Sequence, residues 1–168
     1  MNKIILLVFV FISSYNYAQG GINGWDENYR LTDAESVIKA EMDYARKVEK
    51  DTAEAQYYVS MQRFRFVVKY TGNEREIEDK VLNSMRNVFK MKMGSTEVLN
   101  DLVSREFEFD IGKSKVWMPV QNQLINHFEN ELEPGQDVLL YCLLINEHKF
   151  KGSTINTFLV SEFLSEWE

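Results

Sequence analysis

Residues 138 to 145, VLLYCLLI, form an apolar run with no alternation of polar positions. A strand wet on one face alternates, so a run of this length reads as a strand covered on both faces. The chain must therefore supply packing layers on two sides of it. The segment INTFLVSEF, beyond a loop at 146–154, is the expected hairpin partner. Cys142, the one cysteine of the chain, lies inside the run. Its neighbours make it a buried small hydrophobe rather than a nucleophile, and a single cysteine excludes an intramolecular disulfide.

The remaining segments divide by period. TDAE, Thr32 to Glu35, reads as a capping box opening a helix. Ala34, Val37, Ile38, Met42, Ala45 and Val48 then recur at helical steps. The period falls to two in YYVSMQRFRFVVKY, with Phe64, Phe66, Val68 and Tyr70 on one side and Arg63, Arg65 and Lys69 on the other, which predicts a half-buried strand. From Glu74 to Met91 it is helical again, on Ile77, Val81, Met85, Val88 and Phe89, with Gly94 placed to end the helix. VSREFEFDIGKSKVWMPV reads as a hairpin: Val103, Phe107, Phe109 and Ile111 face inward, Gly112 to Ser114 turn, and Pro119 marks the strand exit. Val120, Leu124, Phe128 and Leu132, with Ile125 beside them, stripe the next helix, which EPGQD breaks.

These elements predict an α+β fold: a small antiparallel five-stranded curved sheet or barrel, ordered strand, helix, strand, strand, helix, strand, strand, after an N-terminal helix. The order resembles the five-stranded barrels of the oligonucleotide/oligosaccharide-binding (OB) type, although a helix here separates the first two strands. The likeness is one of topology. Residues 32–168 are expected to form a single domain, since a mature chain of about 150 residues can bury around two thirds of its surface. Residues 19–31, QGGINGWDENYRL, have three glycines and no period, and read as a flexible leader.

Residues 1–18 read as a cleavable secretory signal: Lys3, then nine apolar residues from Ile4 to Ile12, then a polar tail ending at Ala18. A bilayer core takes ~20 helical residues, so a permanent membrane anchor is not expected. Cleavage between Ala18 and Gln19 is preferred. Cleavage after Gly20 stays open, because Asn16 is large for its position. The expected location is secreted or periplasmic. The net charge of −7 becomes −8 once Lys3 leaves with the signal. An acidic surface repels phosphate backbones, so nucleic acid is not an expected partner.

Candidate chemistry is sparse. His127 and Glu131, four apart on a helix, could serve a proton relay or, with His148, a metal site. The packing stripe through Leu124, Phe128 and Leu132 leaves His127 at its edge, so a polar helix margin is the preferred reading and no metal is favoured. Glu106, Glu108 and Asp110 form a carboxylate row of the kind that sugar hydrolases use. Cross-strand ion pairs with Arg63, Arg65 and Lys69 are the preferred account of that row. Among the aromatics, Trp117 and Tyr58 are the candidate ligand-stacking residues. No phosphate loop, nucleophile elbow, cysteine pair or calcium loop is present, so no cofactor is expected.

The expected function is that of an exported, soluble, non-enzymatic module that binds a protein or a small ligand. One alternative is a hydrolase using the carboxylate row or the His/Glu metal site. Another is an acidic inhibitor of a basic envelope protein.

Overall fold

A computed structural model describes residues 22–51, 53, 57–152 and 154–167 of the chain. The predicted signal and the first residues of the leader lie outside them. In chain order the elements are α1 (Ile22–Asn28), β1 (Arg30–Leu31), α2 (Ala34–Lys50), β2 (Tyr57–Glu76), α3 (Asp79–Met93), β3 (Val103–Ile111), β4 (Ser114–Gln121), α4 (Ile125–Glu131), β5 (Asp137–Lys149) and β6 (Thr154–Leu164). The fold is α+β, with a six-stranded mixed sheet and four helices. The expectation of five antiparallel strands misses the short β1 and two parallel pairs, β1 with β2 and β4 with β6.

Pairing runs from β2 to β3, β4, β6 and β5, and β5 pairs again with β2. The 20-residue length of β2 allows this. Its first part, Tyr57 to Lys69, lies along β5, and its last part, Lys69 to Glu76, lies along β3. Gly72 marks a register shift in the second ladder. It has φ +85°, and a Cβ there would stand 2.6 Å from Pro134 Cγ, so the position demands glycine. The Thr71–Gly72 step is thus a bulge inside a strand. The predicted helix starts at Asp79 rather than Glu74, because Glu74 to Glu76 continue the ladder with β3.

The apolar run of β5 is buried on both faces as expected. Val138, Leu140, Cys142 and Leu144 point to the interior with Phe64, Phe66, Val68, Phe107, Phe109 and Phe158. Ile145 and Leu143 face outward beneath Val81, Met85, Val88 and Phe89 of α3. Leu139 and Tyr141 face outward against Trp25 and Tyr29. The leader is therefore folded from Ile22 onward, correcting the flexible reading. Trp25 and Tyr29 sit one helical turn apart and both rings pack on Tyr141.

Two further boundaries differ. The cap of α2 is Asp33, whose Oδ2 accepts from the Ser36 N–H at 2.9 Å and the Ser36 hydroxyl at 2.6 Å, in place of a Thr32/Glu35 box. Pro119 lies within β4, opposite Glu106, and the strand continues to Gln121 before a single 3₁₀ turn leads into α4. α4 closes one end of the interior through Phe128, which is fully buried and 4.4 Å, centroid to centroid, from Phe163. Met42, predicted as part of the α2 stripe, is 44% exposed.

Candidate functional site

At the end of the interior opposite α4, the inward faces of β2, β5 and β6 change from apolar to polar. The ladder registers place Ser60, Asn146 and Asn156 on one rung and Tyr58, His148 and Thr154 on the next. Asn146 and His148 simply continue the even-numbered face that carries Leu140, Cys142 and Leu144. Both are almost wholly buried. The Asn146 amide donates to Asn156 Oδ1, and His148 Nδ1 is 2.7 Å from Thr154 Oγ1. Yet the Tyr58 hydroxyl, Ser60 Oγ, Asn146 Oδ1 and His148 Nε2 are buried without a hydrogen-bond partner. A buried group left without a partner costs about 1–3 kcal/mol, and four of them fall on two adjacent rungs here.

β4 and β6 pair in parallel at Val120 and Val160, and among the described residues their ladder extends no further. Ala34 and Val37 of α2 pack into the core, with Ile38 against it. Near its C-terminus, Glu49 Oε1 accepts the Lys151 N–H at 2.9 Å in the β5–β6 turn. His148 Nε2 is 3.3 Å from the same oxygen, within ion-pair range but out of hydrogen-bond alignment. Between α2 and the strands β4 and β6 lies an open cleft of about 820 Å³. Ile38, Met42 and Ala45 of α2 form one wall, and Val116 and Phe158 form the floor. His148, Thr154 and Asn156 form the polar wall. A size of ~300–1,000 Å³ with apolar lining and a few convergent polar groups is typical of small-molecule sites.

Tyr58 is placed behind this wall. Its ring stacks on His148 with centroids 5.2 Å apart and meets Tyr44 of α2 edge-on at 4.8 Å. Burial, reinforced by the charge of Glu41, pushes its phenol up to about 12. Tyr58 thus supports the imidazole and does not line the cleft. Trp117 lies on the outer face of β4, half-buried, with the Arg75 guanidinium 4.4 Å above its ring, which leaves that face of the indole covered.

The structure does not gather His127, Glu131 and His148. His127 Nδ1 and Glu131 Oε1 are 2.7 Å apart on the exposed side of α4, and His148 belongs to the opposite end. Among the described residues no three His, Cys, Asp or Glu side chains are grouped to hold a metal.

The carboxylate row has ion-pair partners, as expected, but different ones. Glu106 Oε2 accepts from Arg75 at 3.0 Å and from the Glu78 N–H at 3.2 Å. Glu108 Oε2 accepts from Lys115 at 3.0 Å, Asn73 at 2.8 Å and Thr71 at 3.0 Å. The bulge at Gly72 brings Asn73 and Arg75 opposite the row, whereas Arg63 and Arg65 lie on the part of β2 that pairs with β5. Arg65 is ion-paired with Asp26 of α1, and Lys69, although opposite Asp110, reaches Asp137 at 2.9 Å. Burial raises the Glu106 carboxyl despite its donors, while the Asn73 and Lys115 donors lower that of Glu108.

The polar rungs went unread in the sequence, although a signal was there: the inward parity of β5 runs on into Asn146 and His148, and that of β6 runs back into Asn156 and Thr154. Comparison with protein-family models, curated proteins and solved structures finds no match.

Proposed function

We propose that this chain is an exported, soluble, non-enzymatic binding module whose ligand sits in the cleft between α2 and the β5–β6 hairpin. The observation that carries the reading is the pairing of an apolar cleft with a buried polar wall, in which His148 Nε2 has no hydrogen-bond partner. Buried polar groups retained at a stability cost are expected where a ligand completes them. The return of β5 to β2 supports regarding the strands as a small closed barrel of OB-like order, with α4 in one mouth and the cleft at the other. The signal-like pattern of residues 1–18 supports export. The hydrolase alternative would draw on Glu106 and Glu108, each already held by a cation and further donors.

The test uses protein recovered after export of the full-length chain, with its N-terminus sequenced and expected at Gln19. N-phenyl-1-naphthylamine, a neutral fluorophore, should bind with enhanced, blue-shifted emission. Met42→Asp, which sets a charge on the apolar wall at an exposed position, should weaken it at least about fivefold while the melting temperature holds. No enhancement, or binding unchanged by Met42→Asp, would refute the reading.

A further inference from the structure

The cleft is bordered by three cations on an acidic protein. Arg46 and Lys50 line it from α2, and Lys151 lines it from the β5–β6 turn, all three exposed. The opposing charge on the lining is Glu49, one of whose oxygens already accepts the Lys151 N–H. Arg46 donates to Asp43 at 2.7 Å from one guanidinium nitrogen, which leaves further N–H donors on the group. The chain as a whole carries −7. A local excess of positive charge beside low-dielectric apolar walls focuses the field at the opening, which attracts anions that the rest of the surface repels.

We propose that the cleft takes an amphipathic organic anion: a carboxylate at the rim near Arg46, Lys50 and Lys151, with its apolar body along Met42, Ile38 and Ala45 and over Phe158. This rests on the reading of the cleft as a binding site. The two ends of such a molecule match the two parts of the lining. Hydrophobic burial supplies the affinity, and the rim charges supply orientation and discrimination. The polar side of the lining, Thr154 and Asn156 beside His148, can meet a hydroxyl or carbonyl borne on the apolar body. Glu49, 3.3 Å from His148 Nε2, disfavours the reverse orientation with the carboxylate inward.

The experiment measures displacement of N-phenyl-1-naphthylamine from the full exported protein by dodecanoate and, in parallel, by dodecyltrimethylammonium, which shares the chain but reverses the charge. Dodecanoate should compete at least about tenfold more effectively, and its advantage should shrink as salt is added. The triple variant Arg46→Gln/Lys50→Gln/Lys151→Gln, exposed at all three sites, should lose dodecanoate affinity by about tenfold or more while keeping the neutral fluorophore within about twofold. Equal competition by the two amphiphiles, or wild-type dodecanoate binding in the triple variant, would overturn the assignment of an anion and leave the binding cleft standing. Failure of the neutral fluorophore as well would remove both.

Discussion

His148 is held between two partners of different kinds: the ring of Tyr58 stacks on it at 5.2 Å, inclined by 30°, and Thr154 Oγ1 fixes its Nδ1 from the other side at 2.7 Å. The three residues occupy one rung across β2, β5 and β6. The imidazole therefore has a fixed plane and a fixed first nitrogen, its second nitrogen faces Glu49 Oε1 at 3.3 Å, and the residue lines the cleft. The Tyr58 hydroxyl, buried beside it, has no hydrogen-bond partner among the described residues.

Tyr58→Phe keeps the stacked ring and deletes the orphaned hydroxyl. Because replacing an unsatisfied buried group by apolar surface is neutral or favourable, the variant should be as stable as wild type or up to about 1 kcal/mol more stable in urea unfolding. Its binding of the neutral fluorophore should be retained. A loss above about 1 kcal/mol would mean that the hydroxyl makes a bond, and that the stack is not its only role.

Glu106 supplies a pH test of the outer face of β3. It is 1% exposed, and burial raises its carboxyl above the ordinary 4.5, outweighing the Glu78 N–H and the Arg75 charge that lower it. The folded protein therefore favours the neutral acid more than the unfolded chain does. Its contribution to stability is complete below the unfolded value and is lost as pH rises through the higher folded value. Glu106→Gln cannot undergo that loss, so its stability relative to wild type should improve as pH rises above 4.5 and level off once the folded carboxyl has ionised. Glu41 and Glu162, raised as well, and Glu108, lowered, are present in both proteins and largely cancel from the comparison. Parallel urea titrations across that range decide it. A relative stability that is flat, or that moves toward wild type as pH rises, would contradict the assigned direction.

What could be read from the sequence was what depends on local period. The double burial of β5 followed from eight consecutive apolar residues, and the inward set Phe64, Phe66, Val68 and Tyr70 followed from an alternation that Val67 alone interrupts. Breaks in local structure misled. The helical period assigned from Glu74 ran over residues that continue β2: Gly72, at φ +85°, serves a bulge, and only the partner strand reveals that Glu74 to Glu76 still pair with β3. The glycines of the leader masked Trp25 and Tyr29, whose four-residue spacing was itself a helical signal. The cleft is lined by α2, β4 and β6, and α2 ends more than sixty residues before β4 begins, so no local period encodes it. His148 entered the sequence reading through a metal alternative that was not the preferred one. Paired with His127 it suggested a metal, whereas its ladder partners are Tyr58 and Thr154.

The opposite end of the interior is closed by α4, where neighbouring residues have opposite roles. Phe128 is fully buried among Tyr70, Phe107, Phe109 and Phe163, with centroid separations of 4.4 to 6.2 Å. Its truncation to alanine removes that contact surface and leaves a cavity among four rings that other contacts hold in place. Phe128→Ala should cost ~3–5 kcal/mol. The side chain of His127, one residue earlier, is 62% exposed, and its Nδ1 is 2.7 Å from Oε1 of the exposed Glu131. An exposed i,i+4 pair contributes a few tenths of a kcal/mol, so His127→Gln should stay within about 1 kcal/mol of wild type. Urea unfolding of the two variants under one buffer gives the comparison directly. Similar losses in both would mean that His127 is part of the plug, and a stoichiometric metal lost on His127→Gln would return the pair to chemistry.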